Sequence, residues 1–212
     1  MQGKIAGLYA ITPDEAQTDT LISKVGQALR GGAAVVQYRN KAASPDLRRE
    51  QARALAALCR AAGAVFIVND DLALALELDA DGAHLGAEDG DLAEARRRLG
   101  PKKLLGASCY GRMELAEAAA HAGADYLAFG SVFASGTKPG APRAPLAIFA
   151  EARQRFDLPL VAIGGINLQN TPQVFAAGAN AVAVISSLFD SGDIAERAAA
   201  FNRLYQQQRM QQ

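Results

Sequence analysis

The residues in this chain that could do chemistry come in short polar clusters, each at the end of an apolar run. Gln37-Tyr38-Arg39-Asn40-Lys41 gathers two cations and two amides. In extended backbone Gln37, Arg39 and Lys41 share one side, a set able to hold a polyphosphate. Asn69-Asp70-Asp71 and Gly86-Ala87-Glu88-Asp89 end two further runs. Acidic clusters on neighbouring elements repel unless a cation lies between them. Mg²⁺ takes one or two carboxylates, waters and phosphate oxygens, so Asp70 and Asp89 beside a polyphosphate form a candidate Mg²⁺ site. Asp71 is then left to cap the helix that begins at Leu72.

Two other clusters suit a second anion. The segment Gly130–Gly140 combines hydroxyls, glycines and Lys138, and prolines at 139, 142 and 145 keep it out of helix. A loop of that composition suits an active-site lid. Ile163-Gly164-Gly165-Ile166 and Ile185-Ser186-Ser187 resemble a phosphate grip, in which backbone N–H groups and a short helix N-terminus face the anion. Nucleophilic catalysis finds no support. Ser108-Cys109 has only His84 and His121 as candidate bases. His84 sits within an apolar run and reads as a hydrogen-bonded structural histidine, and His121 as a helix-end residue. Zinc spacing, a Walker loop and the GxGxxG fingerprint are all absent from the sequence.

The elements that must position these clusters recur about every 25 residues. The runs are Leu8–Thr12, Val35–Tyr38, Val65–Asn69, Gly82–Leu85, Leu104–Ser108, Tyr126–Phe129, Leu160–Ile163 and Ala181–Ile185. That spacing suits one strand, one helix and two short loops. Ser44 caps a helix opening at Pro45, and Asp91 to Leu99 forms another with Arg96, Arg97 and Arg98 in its last turn. A worn repeat around Gly31-Gly32, Gly63, Gly123 and Gly178 marks helix ends turning into strands. Continuous apolar strands are those covered on both faces. The regular alternation predicts an α/β fold, a single (β/α)₈ TIM barrel over residues 1–212, with a doubly wound open sheet as the alternative. The tail from Tyr205 is expected to fray.

Composition narrows the function classes. The 212 residues carry 22 basic and 22 acidic side chains, which argues against a nucleic-acid or membrane footprint. No apolar run approaches the ~20 residues of a membrane span, and the start MQGKIAGLYAITPD lacks the features of a signal peptide. Two cysteines cannot build a disulfide framework, so a cytoplasmic location is expected. The sequence sets no oligomeric state.

Taken in order from Leu8 to Ser187, the clusters resemble the thiamine-phosphate synthase family. The resemblance is carried by Gln37–Lys41, Val68-Asn69-Asp70, Gly82-Ala83-His84-Leu85-Gly86 with Asp89, Gly106-Ala107-Ser108, Thr137-Lys138, Ala162–Ile166 and Val184-Ile185-Ser186. It implies a (β/α)₈ transferase of thiamine biosynthesis that joins hydroxymethylpyrimidine diphosphate to thiazole phosphate, releasing pyrophosphate with Mg²⁺ as cofactor. By the same resemblance the pyrimidine diphosphate lies on Gln37, Tyr38, Arg39, Asn40, Lys41, Asn69, Ser108 and Lys138. Mg²⁺ lies on Asp70 and Asp89. The thiazole phosphate lies on Ser135, Gly136, Thr137, Gly165, Ile185 and Ser186. Arg39, Lys41 and Lys138 are the implied catalytic cations. Two departures stand out. Ala134-Ser135 replaces the usual Pro-Thr, and Ala87 stands where the family often has glutamine. The rivals are a thiazole tautomerase-like barrel, a non-catalytic ligand-binding barrel, and a phosphate-sugar isomerase on the same fold.

Overall fold

The computed structural model describes residues 5–86, 89–134 and 143–210. Strands β1 (Gly7–Ile11), β2 (Val35–Tyr38), β3 (Val65–Asn69), β4 (Gly82–Leu85), β5 (Leu104–Tyr110), β6 (Tyr126–Phe129), β7 (Leu160–Ile163) and β8 (Ala181–Val184) pair in chain order. All neighbours are parallel, and β8 returns to β1 to close the barrel. The helices are α1 (Thr18–Arg30), α2 (Pro45–Ala62), α3 (Leu72–Glu77), α4 (Leu92–Leu99), α5 (Met113–His121), α6 (Ala147–Arg155), α7 (Thr171–Ala176), α8 (Ser186–Phe189) and α9 (Ile194–Arg209). The closed sheet excludes the open-sheet alternative.

Local chemistry sets the helix ends. Ser44 accepts from the Leu47 N–H, Asp71 from Leu74, and Asp91 from Ala93 and Glu94. Gly63 ends α2 in the left-handed conformation at φ 68°, which spares it the Cβ penalty another residue would carry. Helix α9 continues to Arg209, and the partly buried Tyr205 ring packs 5.4 Å from Phe175.

Strand alternation sorts the core into two layers. Leu8, Val36, Phe66, Leu105, Leu127 and Val182 point outward beneath the helices. Tyr9, Ile11, Val35, Ile67, Leu104, Tyr126, Val161 and Ala183 point into the barrel. The same alternation sends Gln37, His84 and Ser108 inward, toward the strand C-terminal ends.

The opposite end of the barrel is clamped by an acceptor just before a strand. Asp81 accepts from the Phe66 N–H at 2.9 Å, Asp125 from Leu105 at 2.7 Å and Asn180 from Leu160 at 2.8 Å. Arg96 donates to the Gly100, Lys103 and Gly123 carbonyls and pairs with Asp125. Arg153 repeats this with Gly178, Leu158 and Asn180. The worn sequence repeat is thus a repeated clamp of strand starts. Asp125→Ala removes an acceptor from a partly buried cation and a strand N–H. It should cost about 1–3 kcal/mol in urea unfolding while leaving KM unchanged, because it lies away from the strand C-terminal rim.

Candidate active site

The loop after β2 is held by a buried amide that the sequence reading did not single out. Gln51 of α2 accepts from the Tyr38 hydroxyl at 3.0 Å and from Asn40 Nδ2 at 3.0 Å. Its own Nε2 donates to the Glu15 carbonyl at 2.8 Å, which also accepts from Asn40 at 2.7 Å. Tyr38 and Asn40 thereby join the β1 and β2 loops, and both also line the strand-end cavity. Both are almost wholly buried. The strand that would align Gln37, Arg39 and Lys41 ends at Tyr38, and Arg39 and Lys41 both line the cavity beyond it. A buried glutamine on the inner face of the loop-bearing helix was the available signal for Gln51.

Asp14 fixes the direction of the cations. It accepts from Arg39 Nη1 at 3.3 Å and from the Lys41 backbone N–H at 2.8 Å. The Thr12 hydroxyl exchanges hydrogen bonds of 2.8 Å with the Arg39 backbone. Lys41 Nζ then lies 3.5 Å from Asp70 Oδ2. Between these loops is a cavity of about 270 Å³, lined among others by Arg39, Lys41, Arg48, Asn69 and Asp70. Arg48, from the first turns of α2, is a third cation here. Its Nε is buried without a hydrogen-bond partner among the described residues.

Asp70 occupies the left-handed backbone region at φ 61°, a conformation an aspartate visits at modest cost. The turn carries its carboxylate to within hydrogen-bonding reach of Asp89. Asp89 in turn accepts from the Gly86 N–H at 2.8 Å. Burial, then the Asp89 carboxylate, pushes the Asp70 carboxyl above its ordinary range, against the opposing pull of Lys41. Two hard oxygen donors drawn together beside an anion-ready cavity fit a divalent cation that keeps waters and phosphate oxygens as its other ligands. No cluster of three or more His, Cys, Asp or Glu occurs among the described residues, so a cage made wholly of protein ligands is not offered there.

Inside the barrel mouth His84 is enclosed, with Nδ1 3.1 Å from the Tyr126 hydroxyl and Nε2 2.9 Å from Ser108 Oγ. Burial pushes its imidazole down to about 4. The reading of His84 as a hydrogen-bonded histidine agrees with this placement.

At the far side of the rim, Gly164 (φ 102°) and Gly165 (φ 63°) follow β7. A Cβ on Gly165 would meet the Ala134 carbonyl oxygen at 2.3 Å, so the glycine lets the β6 and β7 loops touch. Ile185 precedes α8, and Ser186 and Ser187 form its first turn with no side-chain cap. The N–H groups of Gly165, Ser186 and Ser187 donate to no acceptor among the described residues. Ser135, Gly136, Thr137 and Lys138 lie outside the described residues, as does Ala87.

A closed parallel barrel with cations gathered at its strand-end rim is an architecture shared by many phosphate-handling enzymes. The comparisons with known proteins narrow it. The family model described as thiamine monophosphate synthase matches residues 8–188. The thiamine-phosphate synthase of Aromatoleum aromaticum is 56% identical over 202 residues, covering 95% of this chain and 97% of that one. That of Methylobacillus flagellatus is 54% identical, with 95% and 96% covered. A solved structure, thiamine phosphate pyrophosphorylase from Pyrococcus furiosus, superposes with a TM-score of 0.86 at 33% identity, with 96% of each chain covered. The chain belongs to the thiamine monophosphate synthase family, and it is a transferase with the barrel of that family.

His84 makes stability pH-dependent with a definite sign. Its folded value of about 4 lies below the ordinary 6.5, so the unfolded chain takes up the proton first as pH falls. The stability is fully present above 6.5 and is lost toward 4, about 3 kcal/mol from this group. Urea unfolding across that window should show the loss. Nitrogen NMR should find the His84 ring neutral down to about pH 5, and a ring titrating at the ordinary value would contradict its enclosure.

Proposed function

We propose that this chain joins hydroxymethylpyrimidine diphosphate to thiazole phosphate, giving thiamine phosphate and pyrophosphate. The observation that carries the reading is the convergence of Arg39, Lys41, Arg48 and Asp70 around one cavity, with Asp89 beside Asp70. The N–H groups of Gly165, Ser186 and Ser187, which have no acceptor among the described residues, stand after β7 and β8. One face thus offers a charge-dense site for a diphosphate and a backbone-lined site for a monophosphate.

Mg²⁺ would be held by Asp70 and Asp89 and would neutralise charge on the diphosphate. Arg39, Lys41 and Lys138 stabilise the departing pyrophosphate as the bond between its oxygen and the exocyclic carbon breaks. Gln37, Asn69 and Ser108 orient the pyrimidine, whose amino group feeds electrons to that carbon. The thiazole nitrogen attacks once its phosphate is seated on Gly165, Ile185 and Ser186 with Ser135, Gly136 and Thr137. Tyr38 and Asn40 contribute by fixing the loop that carries the cations. No protein nucleophile is needed, in keeping with the buried thiols of Cys59 and Cys109, both pushed up to about 12 by burial. Two unpaired, buried cysteines also support the cytoplasm as the compartment. No described helix is long and apolar enough to cross a membrane.

Purified protein given both substrates should release pyrophosphate and thiamine phosphate only when Mg²⁺ is present. Binding without metal-dependent pyrophosphate would favour a tautomerase-like or ligand-sensing barrel instead. Lys138→Ala should lower kcat at least about 100-fold with an unchanged circular dichroism spectrum, and near-normal turnover would remove it from the mechanism. Arg48→Ala should raise KM for the diphosphate about tenfold, as expected for one lost charge-assisted hydrogen bond.

A further inference from the structure

Tyr110, the last residue of β5, is held where neither its backbone nor its burial favours a tyrosine. Its φ is 53°, a left-handed value that glycine, asparagine or aspartate reaches at less cost than an aromatic residue. The side chain is 44% exposed, and among the described residues Met210 is the only other large apolar side chain so placed. The backbone around it is firmly set. β5 and β6 slip out of register between Ser108 and Tyr110, so that Cys109 and Tyr110 together oppose Phe129. A bulge of this kind re-aims a side chain at the end of a sheet. The Tyr110 carbonyl accepts from the Gly130 N–H at 3.0 Å, and a Cβ on Gly111 would lie 3.1 Å from Ala144 Cα.

From this fixed base the phenol reaches the end of β4. A Cβ on Gly86 would lie 3.3 Å from the Tyr110 hydroxyl and 2.7 Å from Asp89 Oδ2. Both oxygens therefore look onto the one space that the glycine leaves open. Asp89 Oδ2 is given to the Gly86 N–H at 2.8 Å rather than to the phenol. Polar groups that share an open space without touching are joined through water.

A divalent cation held by one or two carboxylates keeps several waters, whose protons point away from the metal and need acceptors. A tyrosine hydroxyl both accepts and donates, and the one beside Gly86 belongs to Tyr110. We propose that Tyr110 is a positioning residue of the cation site, its hydroxyl accepting a hydrogen bond from a metal-held water beside Asp89. This rests on the reading above that Asp70 and Asp89 hold the cation, and it names the group that orders the water around it. It also gives the strained backbone a purpose, since the same turn made with glycine would keep the Gly130 bond and lose the hydroxyl.

Mn²⁺ binding to the full chain in the presence of pyrophosphate, followed by electron paramagnetic resonance, tests the assignment. Tyr110→Phe keeps the ring and removes only the oxygen. It should weaken Mn²⁺ binding about tenfold, the effect of losing a partner of the metal's ligands. Its urea midpoint and its affinity for pyrophosphate without metal should stay those of the parent. Equal Mn²⁺ affinity in parent and variant overturns the role of Tyr110. Fluorine NMR of the chain labelled with fluorotyrosine gives a second reading, with Tyr110→Phe identifying its signal among the five tyrosines. Adding Mg²⁺ to the pyrophosphate complex should shift that signal, and Asp89→Asn should abolish the shift. An unmoved signal also overturns the proposal. Mn²⁺ binding that Asp89→Asn abolishes upholds the cation reading whatever Tyr110→Phe does. If the parent binds no Mn²⁺, the cation reading fails and the role of Tyr110 falls with it.

Discussion

Asp70 and Asp89 stand close enough to hydrogen-bond, and two carboxylates at that separation repel unless a proton or a cation lies between them. Much of the rim exists to hold that unfavourable pair. Asp70 accepts a left-handed backbone turn, its N–H fixed on the His84 carbonyl at 2.9 Å. Asp89 is folded back onto the Gly86 N–H. Lys41 supplies a partial counter-charge from the neighbouring loop, and Asp14 and Gln51 hold that loop in place. The local arrangement is poor as stability engineering and coherent as a cradle for a metal-bound polyanion.

The barrel separates the two demands in space. Its strand starts are stitched by Asp81, Asp125 and Asn180, with Arg96 and Arg153 each spanning several carbonyls. Those interactions are satisfied and repeat around one end. The strand C-terminal rim holds the left-handed aspartate, together with the Arg48 Nε and the N–H groups after β7 and β8 that have no partner among the described residues. Unsatisfied groups gathered at one end, with satisfied ones at the other, are what a ligand-binding rim on a rigid scaffold should show.

The strand positions were legible in the sequence because buried parallel strands read as unbroken apolar runs, and Ser44, Asp71 and Asp91 announced their caps by residue type. The bounds of β1, β5 and β8 shifted by one or two residues, since ladder pairing rather than hydropathy decides where a strand stops. Asp70, Asp89, Arg39 and Lys41 stood out as candidates because charge clusters at strand ends are conspicuous. The anchoring of Tyr38 and Asn40 was not legible, because residue type does not reveal that Gln51 of α2 bonds both side chains. Asp14 and Arg48 escaped notice for a related reason. Their roles arise from loop geometry that brings distant segments together, and a solvated helix face explains an arginine equally well until its Nε is seen buried.

Barrel closure has a consequence for how the molecule comes into being. β1 pairs on one side with β2 and on the other with β8, in the register Gly7↔Ala181 to Ala10↔Val184. Helix α9 completes the seam, where Asn202 donates to the carbonyls of Gly31 and Gly32. The first strand thus keeps an open edge until β8 has been made. Intermediate lengths of nascent chain are curled sheets with two unpaired borders, prone to stick to one another. The seam between β1 and β8 is therefore where synthesis rate and chaperone attention bear most heavily on this fold.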